Sequence, residues 1–262
     1  METISSVQNS RVKRIAKLQR KASARREEGL TVIEGAREVL RAIENGWQPV
    51  ELWLCPELRN SDIDFSAHWK TPPALFQCPF PVFEKITYRE NPDGVLAVGP
   101  LVGKKLDDLS LPANSLILVA EGIEKPGNLG ALLRSADGAG VDAVIICDPA
   151  TDLNNPNAIR ASIGTLFYLP VAEASTAETL DFLHRNKFRT FAAVPDAKKI
   201  YTDCDFTGVS AIVVGAEDCG LSEKWKTGAD EKICIPMCGK NDSLNVSVSA
   251  AVILFEARRQ RG

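Results

Sequence analysis

Three glycine-bearing segments from residue 121 onward carry polar side chains at spacings suited to ligand chemistry. In EGIEKPGNLGALLRSADGAG (121–140), Asn128 opens an apolar helical pattern and Arg134 interrupts it. An arginine set among Leu132, Leu133 and Ala136 must reach a phosphate, a carboxylate or solvent, because a buried, unpaired guanidinium is costly. In VVGAEDCGL (213–221), Gly215 lets backbone approach a ligand closely at a strand end, and Glu217 places a carboxylate just beyond it. In IPMCGKNDSLNVS (235–247), an apolar strand end passes through a polar loop into a helix whose first turn offers Ser243 and Asn245. Each segment alone also reads as ordinary loop and cap chemistry, with Asn128 as a helix cap. Gly127 and Gly130 bracket Asn128 without the G-x-G-x-x-G spacing, which argues against a dinucleotide site. The seven cysteines (55, 78, 147, 204, 219, 234 and 238) form no C-x-x-C pair, and His68 and His184 lie far apart. No metal site or disulfide framework is expected, and the thiols read as free.

The elements that must hold these residues alternate regularly. SLILVAE (115–121) and VDAVIIC (141–147) are continuous apolar runs, as in strands covered on both faces. Helices are expected over 128–140, ending at Gly138 or Gly140, and over 157–165, 177–186 and 243–261. Further strands are expected over 167–172, 188–194, 210–217 and 233–237. This alternation predicts an α/β domain with a mostly parallel sheet, helices on both faces, and ligands at the carboxyl ends of the strands. Upstream, TVIEGAREVLRAIENG reads as a strand and helix closed by Gly46, with further strands at 50–55 and 95–102. Residues 56–93 are rich in proline and polar groups, and 104–114 has no clear periodicity. The expected organisation is a smaller α/β N-terminal domain over 1–103, a linker over 104–114 and the parallel-sheet domain over 115–262.

Charge divides unevenly. The chain's 262 residues hold 31 Lys and Arg against 34 Asp and Glu, a net charge of −3. Residues 1–26 hold eight basic groups and one acid, leaving −10 for the remainder. A basic arm on an acidic body suggests a polyanion partner, with Arg11, Lys13 and Arg14 as candidate contacts. The alternative is a solvated helix with Ile15 and Leu18 as its buried stripe. No window approaches the roughly eighteen apolar residues of a membrane helix. The N-terminus lacks the apolar core of a secretory signal, so the expected setting is cytoplasmic, without membrane contact.

Taken together and in order, the three segments resemble the motifs of the SpoU (TrmH-type) ribose 2′-O-methyltransferases of the SPOUT superfamily. The matching residues are P-G-N-L-G-A-L-L-R-S-A-D-G-A-G (126–140), G-A-E-x-x-G-L (215–221) and I-P-M-x-G-x-x-x-S-L-N-V-S (235–247). The ending F-E-A-R-R-Q-R (255–261) is similar to the family's usual one. N-S-R at 9–11 and V-I-E-G-A-R-E-V at 32–39 resemble the substrate-binding domain that precedes the catalytic domain in many members. The resemblance implies a C-terminal trefoil knot holding S-adenosylmethionine, with Gly215, Ile235, Met237 and Leu244 lining the pocket. It also implies a homodimer through the catalytic domain.

The implied reaction methylates a ribose 2′-hydroxyl of RNA, with ribosomal RNA favoured over transfer RNA. No metal is required. Arg134 is the implied catalytic residue, framed by Asn128, Glu217, Ser243 and Asn245. Free guanidinium stays protonated at ordinary pH, so a phosphate clamp on the target nucleotide fits Arg134 better than a general base. The alternatives are a transfer RNA 2′-O-methyltransferase, or a non-catalytic protein of the same fold that binds S-adenosylmethionine and RNA.

Overall fold

Short apolar runs separated by amphipathic segments give the chain two sheets. A computed structural model describes residues 1–58 and 63–262. The first elements are β1 (Glu2–Thr3), α1 (Ser10–Arg20), α2 (Ala22–Glu28), β2 (Leu30–Glu34), α3 (Ala36–Glu44), β3 (Glu51–Leu54), β4 (Ala74–Gln77), α4 (Phe80–Ile86) and β5 (Val95–Pro100). There follow β6 (Leu116–Glu121), α5 (Pro126–Gly138), β7 (Ala143–Cys147), α6 (Pro156–Ala161), β8 (Val171–Ala174) and α7 (Thr176–Arg185). The last are β9 (Arg189–Ala193), β10 (Lys199–Ile200), β11 (Ser210–Val214), α8 (Glu223–Gly228), β12 (Glu231–Cys234) and α9 (Val246–Arg261). By contact these form one unit of Met1–Val102 with Asp152–Tyr168, and a second of Gly103–Thr151 with Leu169–Gly262.

The first unit is a mixed sheet, β1-β4-β3-β5-β2, with β5 antiparallel to both its neighbours. Asn9 starts α1 by accepting the Arg11 N–H at 2.8 Å, and Val12, Ile15 and Leu18 form the helix's buried stripe. That stripe packs in one core with Trp53, Phe76, Val82, Phe83 and Ile86. The region 56–93, rich in proline and polar groups and given no element from the sequence, supplies β4 and α4. Its prolines are helix-start residues, with Pro79 as the N-cap of α4 and Pro81 in its first turn.

The second unit is a wholly parallel sheet, β10-β12-β9-β11-β6-β7-β8. All residues of β6, β7 and β11 are buried, which is why those strands read as unbroken apolar runs. One core joins Ile117, Val119, Ile145 and Val213 to Phe182, Leu183 and Trp225, and Leu106, Leu109 and Leu111 from the 104–114 stretch pack against it. Helix α9 packs on α5 and on β11. The seven cysteines are free. Among the described residues no helix is long and apolar enough to cross a membrane, and no group of acidic, His and Cys side chains is arranged to hold a metal.

Several element boundaries differ from expectation: the helix expected over 157–165 ends at Ala161 and the strand expected over 210–217 ends at Val214. The strand expected over 233–237 ends at Cys234, and Pro236, which has no N–H for a ladder, lies outside the sheet. The helix expected over 243–261 begins at Val246, so Ser243 and Leu244 belong to the preceding loop and Asn245 is the N-cap. The strand expected over 167–172 begins only at Val171, because Thr165–Phe167 close a 3₁₀ turn.

Candidate functional site

The carboxyl ends of β6, β9, β11 and β12 carry the loops that build the site. Beyond β11 the chain folds back sharply: the Gly220 N–H donates to the Ala216 carbonyl at 3.0 Å, and Gly220 has φ +66°. Gly215 is required for this return, because a Cβ there would lie 2.3 Å from the Gly220 carbonyl carbon and 2.4 Å from the Leu221 nitrogen. Glu217 is thereby carried to the tip. The downstream arm is braced by buried Glu121, which ends β6. It accepts the Ser222 N–H, the Ser222 hydroxyl and the Thr176 hydroxyl, each at 2.7 Å. No sequence pattern singled out Glu121, although a carboxylate closing an apolar strand needs buried partners and is itself a signal.

Three of the expected polar residues meet. Asn245 caps α9 with its side-chain oxygen, which accepts the Ser247 N–H at 3.0 Å and the Ser247 hydroxyl at 2.6 Å. Its amide nitrogen is left to donate to Glu217 Oε1 and, at 3.3 Å, to Asn128 Oδ1. Asn128 is not the cap of α5. Lys125 holds that position, and Asn128 sits in the first turn with its side chain turned to Glu217 and Asn245. Lys125 Nζ reaches Glu217 Oε2 at 2.5 Å. The Lys125 ammonium, helped by the two amides, holds the Glu217 carboxyl below its ordinary value, and Glu217 raises Lys125 above its own. Sequence reasoning missed Lys125. The available signal was a cation at a helix N-terminus, where the macrodipole disfavours it unless an anion is nearby.

Arg134 and Ser243 stand outside this cluster. Arg134 is exposed on α5 and makes no hydrogen bond or ion pair among the described residues, so of its three possible outlets it takes solvent. It lies one helical turn before Gly138, where a Cβ would meet the Phe255 ring edge at 3.6 Å. Ser243 is exposed in the loop before α9, where it lines the neighbouring cavity.

That cavity, of about 340 Å³, lies between the loops after β9, β11 and β12. Gly215, Ile235, Met237 and Leu244 all line it, as do Ser243 and Glu217. Ile233, Ile235, Met237, Leu221 and Val194 give it apolar walls. A smaller recess lined by Lys125, Asn128 and Glu217 shares Ala216, Glu217 and Asp218 with it, so the polar cluster stands at the cavity's edge. The β9 loop, Ala193–Asp196, was missed because it carries no glycine or polar pattern that sets it apart. The arrangement is a half-apolar pocket for a small organic molecule, with fixed hydrogen-bonding groups at one side.

In the first unit, Arg14 is committed to ion pairs with Glu28 at 2.5 Å and Glu51 at 2.8 Å. Burial lowers its pKa, but the two carboxylates more than reverse this. Arg11 lies 3.6 Å from Glu51 and over the Phe76 ring at 4.9 Å. Lys13 is exposed, with no ion pair among the described residues.

Known proteins match along the whole chain. The SpoU rRNA Methylase family matches residues 115–255, and the MRM3-like substrate binding domain matches residues 9–97. The chain is 31% identical over 242 residues to the 23S rRNA (uridine(2479)-2′-O)-methyltransferase of Streptomyces viridochromogenes, covering 89% of this chain and 84% of that protein. A crystal structure described as an RNA 2′-O ribose methyltransferase superposes with TM-score 0.84 at 38% identity, covering 99% of both chains. The AdoMet-bound rRNA methyltransferase from Sinorhizobium meliloti superposes with TM-score 0.90 at 26% identity, covering 98% of this chain and 97% of that one.

Proposed function

Since the chain belongs to the SpoU rRNA methylase family, we propose that its Asn128–Glu217–Asn245 cluster and Arg134 work together on one nucleotide of an RNA strand. The protein is an S-adenosylmethionine-dependent methyltransferase that modifies ribose 2′-hydroxyls of ribosomal RNA. The observation that carries the residue assignment is the cavity whose edge is formed by that polar cluster.

The cavity fits S-adenosylmethionine. Its volume of about 340 Å³ falls within the roughly 300–1,000 Å³ of small-ligand sites. Gly215 keeps its wall free of side-chain bulk, while Ile235, Met237 and Leu244 offer partly exposed apolar surface that a heterocycle would cover. When bound, S-adenosylmethionine supplies a methyl group already activated on a sulfonium. What remains for the chain is to orient the ribose and accept the loss of one proton. Arg134, whose guanidinium has no partner among the described residues, clamps the phosphate 3′ to the target ribose through a two-pronged donor geometry. Lys125 keeps Glu217 ionised and anchored, and Asn128 and Asn245 are thereby fixed as donors and acceptors facing the nucleotide. Ser243 completes the frame from the cavity side.

The RNA-binding region spans 1–103, joined through 104–114 to a catalytic region over 115–262. The two family matches support this division, and contact grouping adds Asp152–Tyr168 to the first unit. A homodimer through the catalytic region is supported by Val248 and Phe255, which α9 leaves 47% and 52% exposed. That apolar face lies one turn from Arg134. Covering it with a second copy would put RNA-facing groups of both subunits beside one site, and Phe255→Asp should then elute as a monomer by light scattering. The trefoil knot is supported by the path of 235–245, which leaves β12 between β9 and β10 and returns to the cavity before α9.

The test is methyl transfer from labelled S-adenosylmethionine to ribosomal RNA, followed by alkaline hydrolysis. A ribose methyl blocks cleavage at its own position, giving labelled dinucleotides. Label released entirely in mononucleotides would place the methyl on a base and overturn the assignment.

A further inference from the structure

We infer that the first unit grips the RNA backbone with the outward ridge of α1, Lys13, Lys17 and Arg20, continued by Lys21, and not with Arg11 and Arg14. This rests on the reading that RNA is the substrate and assigns the surface that holds it. At about 100° per residue, Lys13, Lys17 and Arg20 fall within roughly 60° of one another on the helix. They lie opposite the buried stripe of Val12, Ile15, Leu18 and Gln19. Arg14 falls on the flank of that stripe, held by Glu28 and Glu51, and Arg11 falls within the stripe's arc at the helix start, beside Glu51. The buried Arg25, the next cation the basic arm offers, is taken by Asp152 at 2.5 Å and by the Leu18 carbonyl at 2.5 Å.

The cations of the arm thus divide into a structural set and a free set. Lys13, Arg20 and Lys21 are exposed and make no ion pair among the described residues. Among the described residues Lys17 has only Glu27, 3.9 Å away, with both side chains more than half exposed. Such a loose surface pair yields readily to a phosphate. Helix α1 contains five cations and no acid, although the rest of the chain beyond residue 26 is strongly acidic. A merely solvated face would mix both signs, and Lys13 and Lys17, one turn apart, repel each other. The ridge spans about 10 Å along the helix axis, long enough to meet more than one phosphate of a strand. The occupant it fits is the RNA phosphate backbone, bound without regard to base.

The experiment compares full-length wild type, K13Q/K17Q/R20Q and R11Q/R14Q for ribosomal RNA binding over a salt series, with methyl transfer measured in parallel. The ridge variant should lower the slope of log affinity against log salt by about 2, since each lost phosphate contact removes about 0.7–0.9. Its KM for RNA should rise while kcat at saturating RNA, S-adenosylmethionine affinity and melting temperature stay as in wild type. R11Q/R14Q should keep the wild-type slope and lose melting temperature. A wild-type slope in the ridge variant, or an equal loss in R11Q/R14Q, overturns the ridge while leaving the methyltransferase assignment standing. Wild type that binds RNA with this salt dependence but transfers no methyl would overturn the catalytic reading instead.

Discussion

Glu217 organises its neighbours because it is the one anion among three donors. Lys125, at the head of α5, opposes the helix dipole, and the Glu217 carboxylate 2.5 Å away offsets that cost. With its folded-state pKa depressed, Glu217 contributes to stability above the ordinary carboxylate value, and that contribution is lost as pH falls through the depressed one. The frame therefore stays ionised across neutral pH and adds no limb to the pH–rate profile there. Lys125→Ala should return Glu217 toward its ordinary value and move the acid limb of kcat/KM to higher pH, which a rate profile with matched ionic strength would detect. Arg134 poses the opposite case, a cation with no partner among the described residues. Arg134→Ala should cut turnover by about 10²-fold or more while calorimetry finds S-adenosylmethionine bound as in wild type. Arg134→Lys retains the charge but not the fork, and should recover only part of the loss. Wild-type rates in the lysine variant would show that planar two-pronged contact is not what the residue provides.

The loop after β11 owes its shape to two constraints at the level of elements: Gly215 where its two arms touch, and Glu121 where the second arm returns to the sheet. Gly215→Ala forces a Cβ into backbone, so the arms must separate. We expect S-adenosylmethionine affinity to fall at least tenfold and stability to drop by about 1–3 kcal/mol, read by calorimetry and thermal melting. Gly127→Ala is the control, because a Cβ there meets nothing within 4 Å and the helix gains about 0.4–1 kcal/mol. The alternation of strands and helices from β6 onward was legible because buried parallel strands are written as apolar runs. The motif residues Asn128, Glu217 and Asn245 were legible as a set, and the structure brings them together. What stayed hidden depends on tertiary partners. Asn128 looks like a cap until Lys125 is seen to precede a helix-start proline, and Ile235–Met237 looks like strand until Pro236 takes it out of the ladder. Residues 56–93 hid α4 because the same prolines that signal a loop also begin a helix. Arg14 and Arg25 read like their free neighbours, and only the fold shows Glu28, Glu51 and Asp152 beside them.

At the scale of the whole molecule, the polypeptide leaves the catalytic unit after Thr151, contributes Asp152–Tyr168 to the N-terminal unit, and returns. The N-terminal unit is therefore incomplete until residues far along the chain are in place, and Arg25 marks the dependence. Its side chain is 3% exposed, paired with Asp152 and bonded to the Leu18 carbonyl that ends the buried stripe of α1. Breaking such a buried pair leaves one charge uncompensated, at a cost of about 3–5 kcal/mol, whereas replacing both partners by apolar groups is often nearly neutral. Arg25→Met should therefore lower the melting temperature strongly, and Arg25→Met with Asp152→Leu should restore most of it. Every residue lining the 340 Å³ cavity belongs to the other unit. S-adenosylmethionine affinity measured below the melting transition should accordingly be the same in the single variant, the double variant and wild type. Loss of cofactor binding in Arg25→Met at a temperature where its N-terminal unit is still folded would show that the pair supports the catalytic unit as well. An unchanged melting temperature would show that the Arg25–Asp152 pair does not support the integrity of the unit.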